Sequence, residues 1–186
     1  MKKYLMNNLE FLTEEEEVKQ LLTNLKLLEK RLSLIFKQKF NRSIPFSDTL
    51  FNRWERASNL GFGNGASIYD SSYVFGNVEV GENTWIGPFT ILDGSGGLYI
   101  GRNCSISAGV QIYSHDSVNW AISGGKKPYE LLPTKIGDNC YIGPNCIISK
   151  GVEIGDGCII GANSFVNKSF SSGSKLAGNP AIIISN

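Results

Sequence analysis

The chain contains one histidine, His115, in the stretch QIYSHDSVNW that spans residues 111–120. Imidazole changes protonation close to neutral pH, so a side chain of this type can take a proton from a hydroxyl or an amine under ordinary conditions. A carboxylate beside the ring can orient it and favour its protonated form. Two stand as candidates: Asp116, adjacent in sequence, and Asp93, whose distance depends on how the chain is folded. Taken alone, one histidine in a polar loop is more often an ordinary surface residue. The aspartate of DGSGG (93–97) is as readily a turn former bonded to its own backbone. The framework that positions these residues has to separate the readings.

Composition bounds that framework. With 186 residues, 18 basic against 17 acidic side chains and a net charge of +1, the chain has no basic stripe of the kind that nucleic-acid binding needs. The opening MKKYLMNNLEFL is interrupted by Asn7, Asn8 and Glu10 too early for a signal-peptide core, and no later stretch approaches a membrane span. The expectation is a soluble cytoplasmic protein. The 21 glycines against 6 prolines are unusual for such a chain and call for a search for repeats.

From Ile68 the aliphatic residues fall six apart, as Ile68, Val74, Val80, Ile86 and Leu92; the series restarts at Ile100, Ile106 and Ile112, and again from Ile136 through Ile142, Ile148, Ile154 and Ile160 to Val166. Glycine directly follows many of them, among them Gly81, Gly101, Gly137, Gly143 and Gly155. This period fits neither a helix nor a plain strand. It fits short strands joined by tight turns, each strand supplying one inward aliphatic, with glycine expected where the turns need unusual dihedrals. Three strands make a coil, so Ile136 should stack under Ile154, Ile142 under Ile160 and Ile148 under Val166, about 4.8 Å apart. Cys104, Cys140, Cys146 and Cys158 share the slot four residues after an aliphatic with Thr84, Thr90, Val110, Val152 and Ser164. The slot wants a small side chain. Cys140 and Cys146 are too widely spaced for a zinc half-site and lack partner histidines, so reduced, structural thiols and no metal are expected.

Residues 1–60 follow other rules. Thr13 and Glu16 form a capping box, and Leu21, Leu25, Leu28, Leu32 and Ile35 make an apolar seam on a helix of about 25 residues. Pro45 closes it, and a shorter helix is expected around Asp48 to Ala57. The division is therefore a helical segment, 1–60, and a repeat domain, 61–186.

The repeats, the block IGDNCYIGPNCIISKGVEIGDGCIIGANSFVNK and the closing AGNPA resemble the hexapeptide-repeat acyltransferases, and among them the sugar O-acetyltransferases. That resemblance implies a mainly β fold, a left-handed parallel β-helix, and a homotrimer. It implies transfer of an acetyl group from acetyl-CoA to a hydroxyl or amine of a sugar, with the donor in the groove between two subunits. O-acetylation is the first expectation. N-acetylation of a nucleotide-linked amino sugar and a non-catalytic structural β-helix are the alternatives. A γ-type carbonic anhydrase shares the solenoid but needs three zinc-bound histidines, which the single histidine excludes.

The period breaks after Ile112 and resumes at Ile136, so 113–135 is expected to leave the prism as a long loop with His115 at its root. Loops of that length are usually functional, and the related enzymes carry their catalytic histidine at the start of such a loop. Counting coils places Leu92 beneath Ile112 and Asp93 beneath Tyr113, which brings Asp93 within reach of His115; Asp116 remains the alternative partner. By resemblance, Gly143, Ala162 and Lys168 match the positions that meet CoA. Trp120 and Tyr141 are candidates for the acceptor wall, with Tyr129 beside Trp120. Departures from the galactoside-type pattern are Tyr141 in place of tryptophan, Ile86 near the place of an acceptor-binding asparagine, and Ile182 where a basic residue often stands. Lys126 and Lys127 are candidate substitutes for the last.

Overall fold

A computed structural model describes residues 16–185. The chain divides into two compact units, Met1–Leu50 and Phe51–Asn186.

In the first unit, Glu16–Phe40 forms one α-helix of 25 residues, opened by Glu16 and Glu17 and closed by Lys37 and Lys39, charges that complement the helix dipole. None of its side chains is buried, so the leucine seam lies on an uncovered face. Thr13, Glu14 and Glu15 of the expected capping sequence fall outside the described residues. Where one short helix was expected there are two, Phe46–Leu50 and Arg53–Asn59. The second belongs to the repeat unit and is capped by Asn52, whose side chain accepts from the N–H groups of Trp54 and Glu55.

The second unit is a β-solenoid of about six turns built from very short parallel strands. One column of inward side chains runs Ile68, Ile86, Ile106, Ile142, Ile160, Leu176. The next runs Val74, Leu92, Ile112, Ile148, Val166. The third runs Val80, Ile100, Ile136, Ile154, closed by Phe170. The stacked pairs expected from the spacing are all present. The isoleucines of these columns are buried to 1% exposure or less. Burying each is worth roughly 1.5–3 kcal/mol, realised only when the neighbouring coil is in place.

The reason for the glycines differs from the expected one. Gly81, Gly101, Gly137 and Gly143 do not adopt positive φ. That conformation belongs to the position two residues later, held by Asn83, Asn103, Asn139, Asn145 and Asn163, by glycine at several other turns, and by Phe89 at one. Asparagine tolerates it through local hydrogen bonding. The glycine directly after each aliphatic answers instead to close approach: a Cβ on Gly81 would sit 2.6 Å from the Arg102 nitrogen and 2.7 Å from the Gly101 carbonyl carbon. Gly81→Ala must therefore push two coils apart and should lower stability by about 2 kcal/mol or more. Gly157→Asn should be nearly neutral, because Gly157 (φ 67°) has open space around its missing Cβ and asparagine already serves the equivalent turns. Thermal unfolding of the two variants tests the distinction.

The small-residue slot at the corners has a bonding role. Thr84 donates to the Gly101 carbonyl at 2.7 Å, Cys140 to Gly155 at 3.2 Å, Cys146 to Gly161 at 3.0 Å and Cys158 to Ser171 at 3.2 Å. Each ties one coil to the next. Burial pushes the Cys146 and Cys158 thiols up, which keeps them protonated as donors. All four cysteines are buried and free.

The excursion is more ordered and slightly shorter than expected. It carries an antiparallel strand pair, His115–Asp116 with Glu130–Leu131, and a helical turn, Val118–Ile122. The chain rejoins the prism at Thr134, which pairs with Leu98. Thr134 Oγ1 closes the root by donating to the Tyr113 carbonyl at 2.7 Å.

Candidate active site

The site is assembled where two irregularities stack. In the coil before the excursion, the strand Ile91–Ile100 carries extra residues at DGSGG and shifts register against Tyr73–Val80. One coil on, Leu92 faces Ile112, and the chain leaves the prism just beyond. The bulge below and the departure above therefore share one corner. Ser114 joins them, since its N–H donates to Asp93 Oδ2 at 3.0 Å, its hydroxyl donates to the Asp93 carbonyl at 2.6 Å, and Gly96 N–H donates to that hydroxyl at 2.8 Å. A Cβ on Gly96 would lie 2.4 Å from the Ser114 carbonyl oxygen, so the approach requires glycine.

On that platform His115 Nδ1 lies 2.5 Å from Asp93 Oδ2. The Asp93 side chain is 2% exposed and that of His115 33%. Burial alone would raise the Asp93 carboxyl. The Ser95 hydroxyl, the Ser114 N–H, the imidazole and the Ser95 N–H outweigh it and bring the value to about 2. Asp93 is thus ionised and can only accept. The proton between the two residues belongs to Nδ1, and the neutral ring presents an unprotonated Nε2.

Asp93 makes the contacts that both readings call for. It accepts from Ser95 as a turn former, at 3.1 Å from the N–H and 2.5 Å from the hydroxyl, and it also holds the imidazole. Asp116 is directed elsewhere. It accepts from Val118 N–H at 3.0 Å, starting the helical turn, and pairs with Lys150 at 2.7 Å.

Two aromatic rings of the excursion extend from the imidazole. Tyr129 lies with its ring centroid 6.2 Å from His115, and Trp120 meets Tyr129 edge-on at 5.8 Å. Both are exposed. Lys126 and Lys127 are exposed in the same loop, their N–H groups donating to Ser123 Oγ at 3.1 and 2.9 Å.

The remaining candidates fall into two places. Lys168 follows Val166 on the corner column that carries His115, exposed, with its ammonium 5.5 Å from the Phe170 ring centre. Gly143 and Ala162 stack on a different corner, where a Cβ on Gly143 would lie 2.6 Å from the Ala162 nitrogen. Gly143 is buried with its N–H donated to Ile160, whereas Ala162 is exposed. Tyr141 points outward on the strand leading to that corner, between Ser105 and Ile159. Within one chain, a full face of the solenoid separates Tyr141, Gly143 and Ala162 from His115. Ile86 is an inward core residue with no exposed surface, so the outward residue at that strand is Trp85. Ile182 is exposed.

Sequence reasoning missed Ser95, Ser114, Glu130 and Lys150. Ser114 and Lys150 were within reach of the spacing, since each stands two residues beyond one of the paired Ile112 and Ile148. Ser95 and Glu130 depend on the local course of the bulge and the excursion, which no period describes. Among the described residues, no group of three or more His, Cys, Asp or Glu side chains is placed to hold a metal ion. None of the described helices is long and apolar enough to cross a membrane.

A six-residue repeat wound into a solenoid, interrupted by one histidine-bearing excursion, defines the class: a hexapeptide-repeat protein, similar to the hexapeptide-repeat acyltransferases. Residues 133–168 match the bacterial transferase hexapeptide family, and residues 77–114 match the hexapeptide repeat of succinyl-transferase. A Dictyostelium discoideum protein named as a candidate acetyltransferase is 41% identical over 114 residues, 58% of this chain and 57% of that protein. The chain thus spans little more than half of that relative. A galactoside acetyltransferase solved with coenzyme A is 27% identical, with a TM-score of 0.63, over 88% of this chain and 81% of that one. AntD, an N-acyltransferase from Bacillus cereus solved with dTDP and 3-hydroxybutyryl-CoA, shares the fold at 21% identity and a TM-score of 0.58, over 73% of this chain and 90% of that one.

Proposed function

We propose that the chain transfers an acetyl group from acetyl-CoA to a sugar hydroxyl, with His115 as general base and Asp93 as its orienting partner. The observation that carries the proposal is the buried, ionised Asp93 held 2.5 Å from Nδ1, which leaves Nε2 as a proton acceptor on a one-third exposed ring. As the acceptor oxygen attacks the thioester carbonyl, its proton passes to Nε2. The tetrahedral adduct then expels the thiolate of CoA, which takes the proton back from the imidazolium. Asp93 stabilises the cation formed in between, and the chemistry requires no metal. Tyr129 and Trp120 offer faces on which a sugar ring can stack.

Tyr141, Gly143, Ala162 and Lys168 are assigned to the donor and the far wall of the site. Because a face of the solenoid separates the first three from His115, one chain cannot close the site with them. A homotrimer with the donor in the groove between neighbouring copies, as the family resemblance implies, brings one copy's His115 corner towards another's Gly143 corner. The galactoside acetyltransferase with bound coenzyme A supports this reading.

Tag-free protein incubated with acetyl-CoA and a panel of hydroxyl and amino sugars, with thiol release followed, tests the proposal. Acceptor-dependent release with a hydroxyl sugar is the expected result. Release with amino sugars only would reassign the reaction to nitrogen, and release with neither would end the enzymatic reading.

A further inference from the structure

His115 stands on a two-residue strand whose outer side is tied down by a lysine that the transfer chemistry does not use. Lys150 follows Ile148, which stacks on Ile112, so the register brings it to the root of the excursion. Its ammonium lies 2.7 Å from Asp116 Oδ2 and 3.3 Å from Glu130 Oε2, and its side chain is only 17% exposed. Asp116 and Glu130 face each other across the strand pair that closes the excursion. Like charges directly opposite destabilise such a pair. One cation from the solenoid therefore pairs with both, relieves their mutual repulsion and binds both arms of the excursion to the coil.

We propose that Lys150 is a positioning residue for the transfer: by bridging Asp116 and Glu130 it holds His115 against Asp93 and offsets the charge of the two carboxylates on its strand pair. The proposal rests on the reading of His115 as the base. The charged and titratable groups around the ring are Asp93 from the bulged strand, Tyr113 and Asp116 on its own segment, Tyr129 and Glu130 from the returning arm, and Lys150 from the next coil. Lys126 and Lys127 lie further out in the excursion. The Lys150 ammonium holds the Asp116 carboxyl below the usual carboxylate range, chiefly through their hydrogen bond. Asp116 in turn raises Lys150, with Glu130 adding to it. Without Lys150, the uncompensated charge of the two anions on its strand pair favours imidazolium over the proton-accepting form.

Because His115 is the single histidine, its ring resonance in tag-free protein can be followed by NMR against pH, together with amide exchange over residues 117–129. Lys150→Met should move the imidazole titration midpoint up by about half a unit or more and speed exchange about tenfold or more. Lys150→Arg, which keeps the charge, should return both towards the parent values. The triple variant Lys150→Met, Asp116→Asn, Glu130→Gln should bring the midpoint back to the parent value or below it but not restore the exchange, since it removes the anions without restoring the tie. Unchanged midpoint and exchange in Lys150→Met overturn the proposal. If that variant does not fold, Glu130→Gln at a side chain 46% exposed replaces it: a lowered midpoint with faster exchange supports the bridge, and no change in either overturns it. Neither readout needs donor or acceptor. Where transfer occurs and depends on His115, its acid limb in the pH–rate profile should follow the midpoint. A His115-dependent transfer with Lys150 variants unchanged removes Lys150 alone, whereas absence of transfer with every acceptor removes the base and this role together.

Discussion

His115→Ala should lower kcat/KM for the acetyl acceptor by about 10² to 10⁴, the usual contribution of a positioned general base, equivalent to about 3 to 5 kcal/mol of barrier. The loss should fall mainly on kcat, because proton acceptance belongs to the transition state while the aromatic faces of Tyr129 and Trp120 remain for binding. Fold and stability should change little. The imidazole is one-third exposed, and the excursion keeps its other ties: Ser114 to Asp93, Leu132 N–H to the Ser114 carbonyl at 2.9 Å, and Lys150 to Asp116. Steady-state kinetics beside a thermal melt separate the two effects. Exogenous imidazole should restore part of the lost rate if the ring acts as a base. An unchanged kcat/KM in the alanine variant would remove His115 from the reaction.

Asp93→Asn should damage both activity and stability. The carboxylate accepts from Ser95, Ser114 and His115 at once, and an amide in its place turns one of its two polar atoms into a donor. If that NH₂ faces the ring, Nδ1 must accept and the proton moves to Nε2, so the base is lost. If it faces Ser95 or Ser114, donor meets donor in a buried place. The rate should fall by a factor of about 10² to 10⁴. For stability, the sign follows from the lowered value. A carboxyl at about 2 in the folded protein against an ordinary 3.8 contributes stability that is present above 3.8 and lost as pH falls through 2. The shift corresponds to about 2 kcal/mol. The parent should therefore be more stable than Asp93→Asn at neutral pH by at least that order, with the two curves converging as pH approaches 2. Unfolding by denaturant at a series of pH values measures it. A difference that persists undiminished at the acid end would assign the stability to packing and not to the charge.

Much of this arrangement was legible in one dimension because a solenoid converts sequence distance into spatial distance. Once the period is known, adding one coil's residues moves straight up a column, and Leu92 under Ile112 follows by counting even across the two-residue insertion at DGSGG. That counting is why Asp93 could be set near His115 although they are 22 residues apart. The period was silent wherever the chain left it. The excursion's strand pair and helical turn, the choice of Asp93 and not Asp116 at the ring, and Lys150 joining two arms of a loop are settled by local hydrogen bonds that have no repeat. The glycines illustrate a subtler limit. Their positions are plain in the period, which points to backbone torsion as the cause, whereas the separation of 2.6 Å between a Gly81 Cβ and the next coil assigns it to contact between coils.

The amino-acid sequence by itself determined the class of fold, the inward columns, the corner slot filled by small residues and the point of departure after Ile112, because each is a consequence of one short period repeated. Only the tertiary structure decided which carboxylate holds the imidazole, which nitrogen is left to accept a proton, and how the excursion is fastened. It also set Tyr141, Gly143 and Ala162 on a corner away from His115. Such features depend on the direction in which side chains leave stacked turns, and direction is defined only when the coils are laid on one another.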